Sequence, residues 1–196
     1  MKTSIVSIWN VIIIFIQKII DQSYRIVFGI PTLKRSQITA NLFLGGQYNL
    51  RGLQKLKEMK ITAIVNMRIS SVHKEADYVG LKYLHLPTPD QTPPSIESLA
   101  KGAEFVENEI KNGGKVYIHC RQGQGRGPSM AIAYLLKIGL TFDDSLKLIK
   151  KVRTFIRPTS EQIIRLKELE KFFINQKEIS KVTDQKLTNA RSANFN

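Results

Sequence analysis

Cysteine occurs once in the 196 residues, at Cys120. A single thiol excludes an internal disulfide framework and a cysteine-rich zinc site, so nothing in the chain calls for an oxidising compartment. Histidine occurs three times and tryptophan once, and no metal-ligand spacing is visible, so neither a metal nor another cofactor is expected. Negative charge is scarce: 16 Asp and Glu face 30 Lys and Arg, a net charge of +14. Such a balance points to anionic company, whether phosphorylated protein, anionic phospholipid or nucleic acid. No internal repeat is present. The length suits one domain of about 140–150 residues with extensions at either end.

Long apolar runs are also missing. Thr3 to Ile20 is rich in Ile, Val and Phe, but Ser7, Asn10, Gln17 and Lys18 interrupt it. It falls short of the roughly 20 apolar residues that cross a bilayer. Read as a helix, it carries polar residues at 3, 7, 10, 17 and 21 along one narrow stripe and leaves a wide apolar face. That face suits contact with a membrane surface through residues 3–20; the alternative is a helix covering the domain's own core. Lys18, Arg25, Lys34 and Arg35 gather on its C-terminal side, which predicts a membrane-associated protein with its following domain in the cytoplasm. A soluble cytoplasmic protein is the alternative. Gln17, Lys18 and Asp21 stand where a signal-peptide cleavage site needs small residues. Three parts are expected: 1–35, an apolar helix and linker serving as candidate membrane anchor; 36–174, a catalytic domain; and 175–196, a polar tail low in apolar content and predicted to be disordered.

Within the middle part, strand and helix patterns alternate. Gln37-Ile38 and Leu42 to Leu44 read as a short strand pair, Leu50 to Met59 as a helix, Ile61 to Val65 as a buried strand and Leu81 to Leu86 as another strand. Pro87 to Pro94 holds four prolines and must be a stiff loop. Ser95 caps a helix to about Asn112, and Thr141 caps another to about Val152. Thr159 with Gln162 forms a capping-box pattern that opens a last helix. The pattern predicts an α/β fold with a central mixed, mostly parallel sheet flanked by helices.

The most informative stretch is Val116 to Pro128. An apolar run ends at His119, Cys120 follows, and Arg126 comes six residues later, past Gly123 and Gly125, with a helix expected from Pro128. Glycines let successive backbone N–H groups converge on one centre, and the helix adds its positive end there. Such a loop holds a phosphate dianion and stabilises a thiolate at Cys120, which makes the sulfur a nucleophile. The alternative is a cysteine that merely fills the core.

His119-Cys120 followed after five residues by Arg126 resembles the signature loop of the protein tyrosine phosphatase superfamily. Ser36 to Phe173 is similar to its dual-specificity branch, and within that branch Leu86 to Thr92 looks most like the phosphatidylglycerophosphate phosphatase group. The resemblance implies a cysteine-phosphatase fold and hydrolysis of phosphomonoesters, on phosphotyrosine, phosphoserine or phosphothreonine protein or on a membrane lipid phosphate, through a phosphocysteine. It also implies a general acid at Asp90, about 30 residues before Cys120, because an alkoxide leaves poorly unless protonated. Asp77 is the second candidate. Backbone groups of Arg121, Gln122, Gly123, Gln124 and Gly125, with the guanidinium of Arg126, are expected to bind the phosphoryl oxygens, and His119 to orient the loop and favour the thiolate. Arg153 and Arg157 correspond to a basic segment before the family's last helix, although solvated arginines are the ordinary expectation there.

One position departs from the pattern. The family usually places Ser or Thr after the signature arginine, where the hydroxyl assists breakdown of the phosphoenzyme; here that residue is Gly127. Ser129 is two residues too far. Slow hydrolysis of the intermediate is therefore expected. Two other functions stay open: a catalytically weak phosphate-binding module, and an RNA 5′-phosphatase. Nucleic acid is the less favoured partner, because no aromatic stripe accompanies the basic residues. The sequence does not specify the oligomeric state.

Overall fold

A computed structural model of the chain describes residues 2–71 and 73–193. Four short strands, β1 (Leu42–Gly45), β2 (Ala63–Asn66), β3 (Lys82–His85) and β4 (Val116–His119), form one sheet in the order β1-β4-β2-β3. All three pairings are parallel. Of the expected strand pair near residue 40, β1 forms and Gln37 contributes a single antiparallel bridge to Phe43.

Alternate side chains leave the sheet on opposite faces, which divides the core in two. Leu42, Leu44, Ala63, Val65, Val116 and Ile118 pack with α3 (Ile96–Lys111), α4 (Arg126–Lys137) and α5 (Phe142–Val152). Phe43, Ile64 and Tyr117 pack on the other face with Leu53 and Leu56 of α2 (Leu50–Glu58). Side chains as fully buried as Ile118 and Leu99 stabilise the fold by roughly 1.5–3 kcal/mol each. The predicted caps are present: Ser95 Oγ accepts from Ser98 N, and Thr141 Oγ1 accepts from Asp144 N.

Three boundaries differ from expectation. Helix α4 begins at Arg126, two residues before Pro128, with Gly125 as its N-cap. Proline fits there because first-turn N–H groups have no partner inside the helix. Helix α6 (Ser160–Ala193) continues through most of the tail expected to be disordered. Its Lys, Glu, Gln and Leu content favours helix intrinsically, though it offers little to bury; residues 194–196 lie outside the described residues.

At the other end, α1 (Lys2–Phe28) extends eight residues past the apolar stretch. Among the described residues no helix is long and apolar enough to cross a membrane. Helix α1 does not cover the core along its whole length. Trp9, Val11 and Phe15 are each about 60% exposed, whereas Asp21 is fully buried. Thr3 and Ser7 of the expected polar stripe lie outside the residues whose side chains are described.

Candidate active site

β4 is an inner strand of a parallel sheet, and the ends of such strands form a crevice where connections diverge to opposite faces. Cys120 follows β4 directly and lies at the floor of the loop that links it to α4. It is the chain's free cysteine and is buried.

The loop's carbonyls account for its shape. Arg121 O accepts from Gln47 N at 3.1 Å, and Gln124 O accepts from Arg157 N at 2.7 Å. Between them, Gln122 O accepts from Arg153 Nη2 at 3.2 Å and Gly123 O from Arg153 Nε at 3.1 Å. Gly125 O receives Ser129 N and Ser129 Oγ. Five successive carbonyls are thus held by groups around the loop. In a trans peptide the N–H points opposite to the C=O, so the following N–H groups turn toward the centre. One is already engaged: Gly123 N donates to Cys120 Sγ at 3.3 Å. Gly123 has φ of +68°, and a Cβ there would stand 2.5 Å from Gly45 O, so the position requires glycine on both counts.

Arg126, the first residue of α4, is buried. Its Nη1 donates to Thr88 O at 2.7 Å and its Nη2 pairs with Asp90 Oδ1 at 2.7 Å. Its Nε has no hydrogen-bond partner among the described residues. The proline-rich loop therefore brings Asp90, rather than Asp77, to the signature arginine. Asp77 caps a short turn, where its Oδ2 accepts from Lys74 N. Gln122 and Gln124 hydrogen-bond each other on the loop's rim, Gln124 Nε2 donating to Gln122 Oε1. Cys120, Asp90, Arg121, Arg126 and Arg157 line one cavity of about 630 Å³, together with Gln162.

Positive charge concentrates here. The half-buried Arg68 guanidinium is held below the ordinary arginine pKa, first by burial and then by Arg126 and Arg121. That crowding favours an anion in the cup.

His119 lies behind the loop, not in it. Its ring packs against Tyr48 at 5.0 Å and Tyr117 at 6.1 Å, and Nδ1 faces Cys120 O at 3.4 Å. Burial pushes its pKa down to about 3. The imidazole is therefore neutral near pH 7: it can orient the strand end, but it lends no positive charge to the thiolate. Tyr117 also braces the site, donating its hydroxyl to Gly46 O at 2.8 Å, across the space that glycine leaves open at position 45.

Arg153 and Gln162 take roles at the site that the sequence reading did not give them. Arg153 is fully buried beneath the loop rather than solvated, and Gln162 does more than cap. Gln162 Oε1 accepts from Thr159 N while its Nε2 donates to Thr92 O, tying the start of α6 to the Asp90 loop. A signal for Arg153 was present: Ser145, Ile149 and Arg153 recur every four residues and are all fully buried.

A parallel sheet flanked by helices, with cysteine and arginine facing across a loop of inward N–H groups, defines a cysteine-phosphatase fold. The chain belongs to the dual specificity phosphatase family: residues 42–172 match the family model described as "Dual specificity phosphatase, catalytic domain". Among curated relatives, the phosphatidylglycerophosphatase and protein-tyrosine phosphatase 1 of Rattus norvegicus is 30% identical over 125 residues, covering 63% of each chain. Dual specificity protein phosphatase 5 of Homo sapiens is 29% identical over 144 residues, 71% of this chain and 36% of the relative. The chain thus spans about a third of the length of that larger relative. Among solved structures, PTPMT1 aligns with a TM-score of 0.68 at 23% identity, over 73% of this chain and 98% of that one. The active form of Tk-PTP aligns at 0.65 with 28% identity, over 69% and 95%.

Proposed function

We propose that this chain hydrolyses phosphomonoesters through a phosphocysteine and does so at a membrane surface. The observation that carries the reading is the ring of outward-held carbonyls. It leaves N–H groups facing Cys120, with Arg126 and Asp90 at the same cavity. Cys120 Sγ attacks phosphorus in line, the P–O ester bond breaks, and the leaving oxygen takes a proton from Asp90. Water then attacks phosphorus, gives its proton to Asp90, and the P–S bond breaks to return the thiolate. The loop N–H groups and the planar Arg126 fork hold the three remaining oxygens. Asp90 pairs with Arg126 in this structure; a dianion arriving on that guanidinium frees the carboxyl for the leaving oxygen.

The substrate is a phosphorylated protein or an anionic phospholipid, and the surface of α1 favours the lipid. Ten large apolar side chains between Ile8 and Ile20 are exposed, far more than an isolated soluble domain ordinarily leaves in water. Exposed Lys34 adds positive charge beyond them. One relative points in the same direction: phosphatidylglycerophosphatase and protein-tyrosine phosphatase 1 bears a lipid phosphatase name and, as PTPMT1, has been crystallised in complex with PI(5)P. In this reading the catalytic domain faces the cytoplasm.

Phosphate release from a phosphotyrosine peptide, phosphatidylglycerophosphate and phosphoinositides, with Cys120→Ser as control, tests the reaction and ranks the substrates. No release from any of them by the parent would sink it. Sedimentation with vesicles containing anionic lipid tests the surface: the parent should co-sediment, and Ile12→Glu/Phe15→Glu should stay in solution. Equal sedimentation of both would remove the membrane from the proposal.

A further inference from the structure

We infer that Asp21, in the N-terminal helix, is a positioning residue for this reaction, acting on the phosphate loop through Arg153. The inference rests on the phosphatase reading and makes α1 part of the catalytic unit rather than a detachable anchor. Arg153 has five N–H bonds and all are engaged. Nε and one Nη2 hydrogen take Gly123 O and Gln122 O; the other Nη2 hydrogen takes Asp21 Oδ2 at 2.9 Å. Nη1 takes Arg35 O at 3.0 Å and Asp21 Oδ1 at 3.5 Å. Thr32 Oγ1 donates to Asp21 Oδ1 at 3.1 Å, fixing the carboxylate in turn. Both members of the pair are 0% exposed.

The consequence lies in one peptide unit. The Gln122–Gly123 peptide gives its C=O to Arg153 and its N–H to Cys120 Sγ. Gly123, at φ +68°, is a residue at which such a peptide can turn over with little steric resistance. The grip of Arg153 on the carbonyls of Gln122 and Gly123 holds the N–H on the sulfur side. A buried guanidinium without its counterion is strongly disfavoured and must rotate away or admit water. Removing Asp21 therefore loosens Arg153, and the loop loses an anion-facing N–H without any change in the loop's own sequence.

The test uses the full chain and a soluble aryl phosphate, which keeps membrane binding out of the readout. Three quantities are measured on the parent, Asp21→Asn and Asp21→Leu/Arg153→Met: urea midpoint, kcat and KM, and the inorganic phosphate needed to protect Cys120 from iodoacetamide. In Asp21→Asn, kcat/KM should fall at least about tenfold, mainly in kcat, and the protecting phosphate concentration should rise at least about fivefold. The double variant removes the buried charges together and should regain stability without regaining kcat or protection. Parent-like values in Asp21→Asn overturn the inference, as does a double variant whose activity returns with its stability. If Asp21→Asn does not fold, Arg153→Lys replaces it; lysine keeps the charge but not the planar fork that spans both carbonyls, and the same losses are expected. Protection by phosphate needs no turnover. If the parent releases no phosphate, the phosphatase reading fails while Asp21 is still judged.

Discussion

Replacing Gly127 with serine should speed breakdown of the phosphoenzyme, and the local geometry sets the size of the effect. A Cβ at 127 would stand 3.5 Å from Cys120 Sγ, so a hydroxyl one bond further on can reach the sulfur. Ser129 cannot do this, because its Oγ is bound to Gly125 O at 3.0 Å. A hydrogen bond to a charged group contributes about 1.5–3 kcal/mol. Against it, Leu44 Cδ1 at 3.1 Å from the new Cβ must shift slightly, a small overpacking that costs on the order of 1 kcal/mol. The balance is roughly 0.5–2 kcal/mol, or about 2- to 30-fold in the step that expels the thiolate. Rapid mixing with p-nitrophenyl phosphate separates the steps. The parent should give a burst of nitrophenolate close to one per active site, then a slow steady rate. Gly127→Ser should raise the steady rate and shrink the burst. A parent whose single-turnover and steady rates are equal would refute the reasoning, as would a folded variant with an unchanged steady rate.

Asp90→Asn should lower kcat by about 10²–10³ on alkyl phosphates and much less on p-nitrophenyl phosphate, whose leaving group needs little protonation; equal losses on both would argue against a general acid. Gly123→Ala should abolish protection of Cys120 by phosphate and lower stability by about 1–3 kcal/mol, because the new Cβ would stand 2.5 Å from Gly45 O at a left-handed φ; urea unfolding and alkylation measure the two effects. His119 gives a pH dependence with a definite sign. Its folded pKa of about 3 lies below the unfolded value of about 6.5, so between those values the unfolded chain binds a proton that the folded chain excludes. Stability should therefore fall as pH drops from about 6.5 toward 3, by up to about 1.4 kcal/mol per pH unit from this residue. Urea midpoints for His119→Gln should show a flatter slope over that window, and an unchanged slope would remove His119 as its source.

Elements with strong local signals could be read from the sequence. The α2 and α3 helices, the β4 strand and the caps at Ser95, Thr141 and Thr159 rest on periodicity and on hydrogen bonds within a few residues, and each lies within about two residues of its expected place. The start of α4 was displaced because Pro128 is tolerated anywhere in the first turn, so it marks a helix start only to within a few positions. The helical course of the chain beyond residue 175 is hard to read from sequence for a different reason. Low apolar content argues against a packed core, but it says little about a helix that simply extends one already nucleated at Ser160.

The N-terminal helix shows what periodicity leaves undetermined. Its polar stripe through Gln17 and Asp21 invites the reading that these residues face water and the apolar residues face whatever the helix covers. The opposite arrangement holds from Gln17 to Asp21, whereas Asn10 and its neighbours are exposed on every side. Gln17 hydrogen-bonds Thr154, Asp21 pairs with Arg153, and Ile12, Phe15 and Ile19 stand exposed. The spacing of polar and apolar residues gives a helix two unlike faces but does not say which of them meets protein. The partner decides, and here the partner is a buried arginine already committed to two loop carbonyls and short of a counterion. Asp21 completes it from 132 residues away in sequence, so no local pattern near either residue announces the pair. With Gln17 and Asp21 engaged by the catalytic domain, the apolar side chains around them are left outward, so the contacts that reach the phosphate loop through Arg153 also fix which face of the helix stands exposed.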